Sequence, residues 1–172
     1  MAGTVQVGDL VIYGTSGLCE VEELSEKKLP YDEAPQPYYT LRPRSKNRSV
    51  IYIPARNQAL VGKMRPLLDK AEIDDILHGV RGRAMEWNAD RTQRHAAFRA
   101  VMARRDQEEM LLMIRCIFSR RQALAAAGKR LPGADEDILQ SSEKLLAQEF
   151  SCSLGIPPES VRDYIDSVLC GE

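Results

Sequence analysis

Hydrophobic positions follow two different periods along the chain, and the period changes near residue 70. Before that point, short runs of β-branched and aromatic residues alternate with turn-forming residues, which is typical of β-strands. After it, apolar residues recur every three or four positions, the spacing of amphipathic helices. The pattern therefore predicts an α+β chain with a small β domain, residues 1–68, followed by an all-α bundle, residues 69–172.

The first part contains four predicted strands. They cover residues 10–13, 18–24, 38–42 and 49–53. Glycines in residues 14–17 favour a turn, three prolines favour a loop over residues 30–37, and residues 45–48 form a polar turn. A sheet this small has little core of its own, so we expect it to be strongly bent or closed into a barrel.

The second part contains four or five predicted helices. Their apolar stripes cover residues 69–78, 90–103, 107–127, 135–150 and 161–169. Asp106 with Glu109 resembles a capping box, and Gly128 suits the end of that helix. Asp135 is predicted to cap the next helix, where the acidic residues 135–137 favour the helix dipole.

Composition narrows the class of protein. With 44% hydrophobic and 28% charged residues, the chain has the composition of an ordinary folded protein. No run approaches the roughly 18 apolar residues that span a bilayer. The first residues show neither a basic segment nor an apolar one, so we expect no secretory signal, no membrane association and a cytoplasmic location.

Charge is distributed unevenly despite a net charge of -1. Residues 80–130 contain 12 basic residues, eleven of them arginine, against five acidic ones, whereas residues 133–172 contain two basic and nine acidic ones. Such a basic segment indicates nucleic acid or another polyanion as a partner. The alternative is a solvated helix face, because arginine is a good helix former.

Candidate catalytic and metal-binding patterns are lacking in the sequence. It has no G-x-S-x-G and no Walker A motif, and Asp74 and Asp75 are adjacent, so they do not share a helix face. The four cysteines form no C-x-x-C pair, and neither His78 nor His95 has a ligand at metal-binding spacing. We therefore expect no enzyme activity, no metal and no cofactor.

Trp87 is the only tryptophan, and it lies within the basic segment. One interpretation is an aromatic wedge against a nucleobase, with arginines holding phosphates. The other is a core anchor between helices, the usual role of a lone tryptophan. The sequence leaves both open.

Four motifs in order make the chain resemble the CarD-like family of bacterial transcription regulators, whose β domain is shared with transcription-repair coupling factor. The first is Val7-Gly8-Asp9-Leu10-Val11-Ile12-Tyr13 with Gly17-Leu18-Cys19-Glu20-Val21, and the second is Tyr38-Tyr39-Thr40-Leu41 with Ile51-Tyr52-Ile53-Pro54. The third is Val61-Gly62 with Arg65-Pro66-Leu67, and the fourth joins Trp87, Arg91, Arg105-Asp106 and Glu149-Phe150 in the helical half.

The resemblance implies a Tudor-like or SH3-like barrel that binds the β subunit of RNA polymerase. The polymerase-binding residues it implies are Lys27, Ile51, Tyr52, Ile53 and Pro54. Tyr52 stands where the family often has a basic residue, and Lys27 keeps a positive charge at the other matching position.

The resemblance further implies that the helical domain lies on promoter DNA at the upstream edge of the transcription bubble. The DNA-binding residues it implies are Trp87, Arg83, Arg91 and Arg94, with Trp87 in the minor groove. Such a protein slows collapse of the open complex without reading sequence, because polymerase delivers it, and we expect it to act as a monomer.

Two other functions remain open at this stage. One is an interaction module that binds polymerase without touching DNA, in which Trp87 belongs to the core. The other is an enzyme of an unrecognised type. Burial of the Trp87 ring favours the interaction module, and exposure beside arginines favours the wedge.

Overall fold

The chain folds into two compact units, Met1–Leu67 and Leu68–Glu172. The computed structural model describes residues 4–45 and 49–170, apart from the side chains of Thr15 and Cys170. The first unit contains an antiparallel sheet and the second is helical. The predicted α+β class is thereby confirmed. Of the polar turn predicted at residues 45–48, positions 46–48 lie outside the described residues.

The sheet has five strands in the order β4-β3-β2-β1-β5, each antiparallel to its neighbours. The strands are β1 (Leu10–Tyr13), β2 (Gly17–Lys27), β3 (Gln36–Pro43), β4 (Ile51–Pro54) and β5 (Met64–Pro66). A short helix, α1 (Gln58–Val61), precedes β5. The fifth strand was not predicted, because three residues are too few to show an alternating pattern.

The predicted barrel is not confirmed, because the sheet is open. Strands β4 and β5 form its two edges and do not pair with each other in the part of the chain that the structure describes. The core contains the following buried residues: Val11, Cys19, Val21, Tyr39, Leu41, Ile53 and Met64. Val5, Leu60 and Val61 pack against that cluster. Apolar side chains from outside the sheet therefore cover the core, and closure of the sheet is not needed.

The helical unit contains α2 (Lys70–Gly79), α3 (Arg91–Arg104), α4 (Gln107–Ala126), α5 (Gly133–Leu154) and α6 (Val161–Cys170). Aspartate side chains accept hydrogen bonds from the third residue of α2, α3 and α4: Asp69, Asp90 and Asp106. Each satisfies a backbone N–H that the first turn leaves without an intrahelical partner. These caps explain why three of the predicted starts lie within a residue or two of the observed ones.

Helix α4 is the centre of the helical unit because it contributes to two hydrophobic clusters. Leu111 and Leu112 pack with α2, α5 and α6, whereas Met113 and Ile117 pack with α3 and α5. A helix that is apolar on most of its circumference belongs in the interior. The helix from which the surface side chains of α4 project is therefore held by packing on two sides.

The start of α5 differs from the prediction. The helix begins at Gly133, and no side chain forms a cap hydrogen bond there. Asp135 lies inside the first turn and is completely buried. Its carboxylate therefore has a tertiary role, described below. No helix in the described residues is both long and apolar enough to cross a membrane.

Candidate functional site

The segment between α2 and α3 has little regular structure, and arginines fix it at both ends. Arg115 on α4 donates hydrogen bonds to the carbonyl oxygens of Val80 (3.1 Å) and Arg83 (3.3 Å). Arg94 on α3 donates to the carbonyl oxygens of Asn88 (2.9 Å) and Ala89 (3.4 Å). These bonds satisfy backbone acceptors that no helix or strand uses. The segment thus has a defined conformation although it is irregular.

Trp87 lies in this segment and is half-buried. Its ring centroid is 6.3 Å from that of Phe98, in a tilted arrangement, and the ring packs against the cluster formed by α3, α4 and α5. The guanidinium carbons of Arg94 and Arg120 lie 4.3 Å and 5.5 Å from the ring centroid. Both cations are within the range of a cation–π interaction. The ring is therefore anchored on the core, accessible in part, and accompanied by arginine.

A groove of about 340 Å³ lies beside the ring. Its lining includes Trp87, Arg83, Arg115, Arg120 and Leu112. Arg83, Arg115 and Arg120 are exposed. A partly accessible aromatic ring beside exposed guanidinium groups is an arrangement that can bind nucleic acid, because rings stack on bases and arginines hold phosphates.

Sequence reasoning did not include Arg115 and Arg120 in the site. Leu112, Cys116, Ser119 and Ala123 line the groove and recur at helical spacing along α4. Arg115 and Arg120 flank that stripe, so the stripe was the signal that could have found them.

Of the predicted DNA-binding arginines, Arg83 and Arg91 are at the surface. Arg83 forms an ion pair with Glu108 on α4 and is still about half exposed, with 53% of its side chain accessible. Arg91 is the first residue of α3 and is exposed. Both positions leave a guanidinium group within reach of a ligand in solution.

Arg94 is different, because only 5% of it is accessible. Its Nε and second terminal nitrogen lie 3.0 Å and 2.9 Å from the two carboxylate oxygens of Asp135. A guanidinium whose donors already bind a carboxylate and two backbone carbonyls has few donors left to hold a phosphate at the same time. The partners that the structure gives Arg94 therefore lie inside the protein, and its predicted contact with DNA stays a prediction.

The charge on Asp135 is stabilised by its neighbours. Burial alone raises the pKa of this carboxyl, but hydrogen bonds and charge from Arg94, together with a hydrogen bond to His95 Nε2 (3.1 Å), outweigh it and lower the pKa. The same pairing raises the pKa of Arg94. Both groups therefore remain ionised, as a buried pair needs to be.

A second candidate surface lies at the β4 edge of the first unit. Tyr52 is 43% exposed, and its ring meets that of Tyr38 edge to face at 6.5 Å between centroids. The Lys27 ammonium lies 5.9 Å from the Tyr52 centroid and also pairs with Glu23 at 2.9 Å. Lys27 and Tyr52, which are 25 residues apart in the sequence, therefore form one surface.

The Tyr38 ring, which Tyr52 contacts, is held in place by hydrogen bonds. It is buried, and its hydroxyl donates to the Asp32 carboxylate at 2.9 Å, which also accepts from the backbone N–H of Leu29 and from the Gln36 amide. The hydrogen bond from Leu29, above all, lowers the pKa of Asp32. The loop before β3 is thus tied to the ring on which Tyr52 rests.

The other predicted polymerase-binding residues divide between the two faces of β4. Ile53 is 1% exposed and belongs to the core, and Ile51 packs against the same cluster. The side chain of Ile53 therefore faces the core, and that of Ile51 is only partly accessible. Contact of these two residues with polymerase stays a prediction. Pro54 is half-buried opposite Tyr38.

The described residues contain no cluster of three or more His, Cys, Asp or Glu side chains suited to a metal. Cys19 is fully buried, and burial raises the pKa of its thiol to about 11. A thiol with so high a pKa is not a nucleophile at neutral pH. Its position in the first unit is therefore that of a small apolar residue.

The comparison with known proteins found a match to the first unit. A family model described as the CarD-like/TRCF RID domain matches residues 5–68, which include all five strands. No curated protein matches the chain. The match confirms the resemblance seen in the strand motifs and indicates an RNA polymerase-interacting module. The match covers 64 of the 172 residues, and over that range the chain is similar to the CarD-like/TRCF RID domain.

Proposed function

We propose that the chain is a transcription regulator that binds the β subunit of RNA polymerase through the first unit and promoter DNA through the helical unit. Trp87 enters the minor groove at the upstream edge of the bubble and slows collapse of the open complex. The observation that carries this proposal is the partly accessible Trp87 ring at the side of a groove with three exposed arginines. No catalysis is involved.

The proposed DNA contact is independent of sequence. Arg83, Arg115 and Arg120 project from an irregular segment and from one helix, and arginines presented in this way contact phosphates. An inserted ring replaces the base stacking that is lost when the duplex opens. Base–aromatic stacking contributes about 1–3 kcal/mol, which corresponds to roughly fivefold or more in the lifetime of the open state.

The proposed polymerase contact uses the open edge of the sheet and the Tyr52 ring. Ala55 donates to the carbonyl of Pro37 at 2.9 Å, and hydrogen-bonded pairs alternate in an antiparallel ladder. The N–H and C=O groups of Tyr52 therefore point away from β3, toward the edge. Tyr52 offers a partner strand both backbone groups and an exposed aromatic side chain.

The test is the lifetime of a promoter open complex after a competitor is added, with the polymerase of the organism that encodes the chain. We expect wild-type protein to lengthen the lifetime. With Trp87→Ala, we expect the lifetime to be shorter than with wild type by roughly fivefold or more. Arg120→Ala is expected to reduce it less, because one phosphate contact is lost. Circular dichroism establishes that each variant is folded.

Phe118→Ala is the matched control. Phe118 is also a half-buried aromatic residue of the helical unit, and the guanidinium groups of Arg121 and Arg162 lie 5.1 Å and 4.7 Å from its ring. It lines a different groove, between α4, α5 and α6. An equal loss of lifetime for Trp87→Ala and Phe118→Ala contradicts the wedge.

The interaction module without DNA contact is the second candidate function. The packing of Trp87 against Phe98 and the α3–α5 cluster favours it, because a core anchor needs no nucleic acid. This function predicts that Trp87→Ala lowers the stability of the helical unit and leaves the lifetime unchanged. The same two measurements therefore separate the two functions.

A further inference from the structure

Arg94 contacts three parts of the helical unit that bear on Trp87. It lies over the Trp87 ring, donates to the carbonyls of Asn88 and Ala89, and is held by Asp135. We propose that Arg94 is a positioning residue, locked by Asp135, that holds the Trp87 ring in the orientation in which it meets DNA. The DNA part of this inference rests on the proposed function.

The contact with the ring is close. The guanidinium carbon of Arg94 is 4.3 Å from the Trp87 centroid, the separation of a stacked cation–π pair, and Arg120 is further away at 5.5 Å. Only 5% of Arg94 is accessible. Its charge is therefore directed to the ring and to Asp135.

The carboxylate fixes the plane of the guanidinium. Two parallel hydrogen bonds, at 3.0 Å and 2.9 Å, join Arg94 to Asp135, which is completely buried on α5. A bidentate pair of this kind sets the orientation of the group as well as its position. Since the guanidinium carbon lies over the ring, holding the guanidinium in place also holds the group against which Trp87 packs.

The third guanidinium nitrogen of Arg94, which does not bind Asp135, holds the backbone just after Trp87. It donates to Asn88 O at 2.9 Å and to Ala89 O at 3.4 Å. Ring and backbone are thus held by one side chain. A lysine at position 94 keeps the charge but has neither the planar fork nor enough donors in one plane for these partners.

Fixing the ring before DNA arrives favours binding. A side chain that already has its bound orientation does not lose rotamer freedom when the complex forms. Release of the ring therefore weakens the wedge even if Trp87 itself is unchanged. A cation–π contact shifts such an equilibrium by about fivefold to thirtyfold, depending on how far it is desolvated.

The test compares Arg94→Lys with Arg99→Lys, the same change at an exposed position of α3. Trp87 is the only tryptophan, so its fluorescence and its quenching by acrylamide report on this ring directly. We expect Arg94→Lys to increase the quenching and to reduce the lengthening of the open-complex lifetime, at saturating protein, by roughly fivefold. Arg99→Lys is expected to change neither.

A double variant distinguishes positioning from general destabilisation. In a Trp87→Ala background, Arg94→Lys is expected to have no further effect on the lifetime, because the ring on which it acts is absent. If Arg94→Lys fails to fold by circular dichroism, Asp135→Asn supplies the same measurements, since it retains Arg94 and the shape of the carboxylate.

Two results overturn the inference: unchanged quenching and lifetime in Arg94→Lys, or an equal loss of lifetime with and without Trp87. Failure of the proposed function looks different, because Trp87→Ala then leaves the lifetime as in wild type. In that case the quenching of Trp87 in Arg94→Lys still decides whether Arg94 positions the ring.

Discussion

Replacement of Asp135 by alanine is expected to lower the free energy of unfolding of the helical unit by about 3 kcal/mol. Asp135 is completely buried and accepts three hydrogen bonds, two from Arg94 and one from His95. Removal of one member of a buried ion pair costs about 3–5 kcal/mol, because the other charge is left without its counterion.

The structure places the cost at the lower end of that range. Without Asp135, Arg94 still donates to the carbonyls of Asn88 and Ala89 and still lies over the Trp87 ring. These contacts stabilise the remaining charge in part.

Urea unfolding followed by Trp87 fluorescence measures this change in the helical unit alone, because the first unit contains no tryptophan. With a slope of about 2 kcal/mol per molar urea, the midpoint is expected to fall by roughly 1.5 M. Asp137→Ala is the control: it removes the same charge from the same helical turn, but Asp137 is exposed. Its expected cost is at most about 0.5 kcal/mol. Equal midpoints for the two variants would refute the reasoning, since the buried pair would then add nothing.

Three further results are expected. Wild type and Asp135→Asn are expected to differ most in free energy of unfolding at pH 5 and above, and the difference is expected to shrink as the pH falls below about 4. The reason is that the pKa of Asp135 is lowered in the folded state, so its stabilisation is lost on protonation. A difference that stays constant down to pH 2 contradicts this assignment. Tyr52→Ala weakens binding to polymerase about fivefold to thirtyfold in a direct binding assay, whereas Tyr31→Ala, which removes a ring that is 97% exposed, leaves the affinity unchanged. Mass spectrometry after brief alkylation at pH 8 finds Cys152, which is exposed, modified well before Cys19, whose thiol is buried and has a pKa of about 11; the reverse order means that the first unit opens readily.

The elements with a strong local pattern could be predicted from the sequence. Four of the five longer helices, α2, α3, α4 and α6, start and end within about one residue of the expected positions. Aspartate caps act within one turn and fix three of those starts. Helix α5 is the exception, because it begins two residues earlier and ends four residues later than expected. At its start, the neighbours of Asp135 predict a cap, but Asp135 pairs with a residue 41 positions earlier. No local pattern contains that partner.

The sheet shows a second kind of limit. The alternating runs predicted four strands, but whether a sheet closes depends on what covers its core face. Here Leu60 and Val61 of the short helix α1 help to cover it, and α1 itself is only four residues long. Elements of this length carry too few positions to reveal a period.

The candidate site follows the same rule. Trp87 was found because it is the only tryptophan, and Arg83 because it flanks Trp87 in the basic segment; both line the groove. Arg94 was placed with them for its charge, yet its burial depends on α5, which joins the site only in the folded chain. Arg120 was overlooked although it lies 5.5 Å from the Trp87 ring. Charge identifies a basic segment, and packing decides which arginines of that segment face outward.

The Arg94 fork also constrains how this sequence can vary during evolution. Arg94 binds the carbonyl of Ala89, and every residue has a carbonyl, so the side chain at position 89 can change without loss of that bond. Trp87 and Asp135 offer Arg94 their side chains, and replacing them with another aromatic or acidic residue changes the size of the ring or the length of the side chain. Among relatives that share the helical unit, we therefore expect Trp87, Arg94 and Asp135 to be inherited or lost together, while the residues between them diverge.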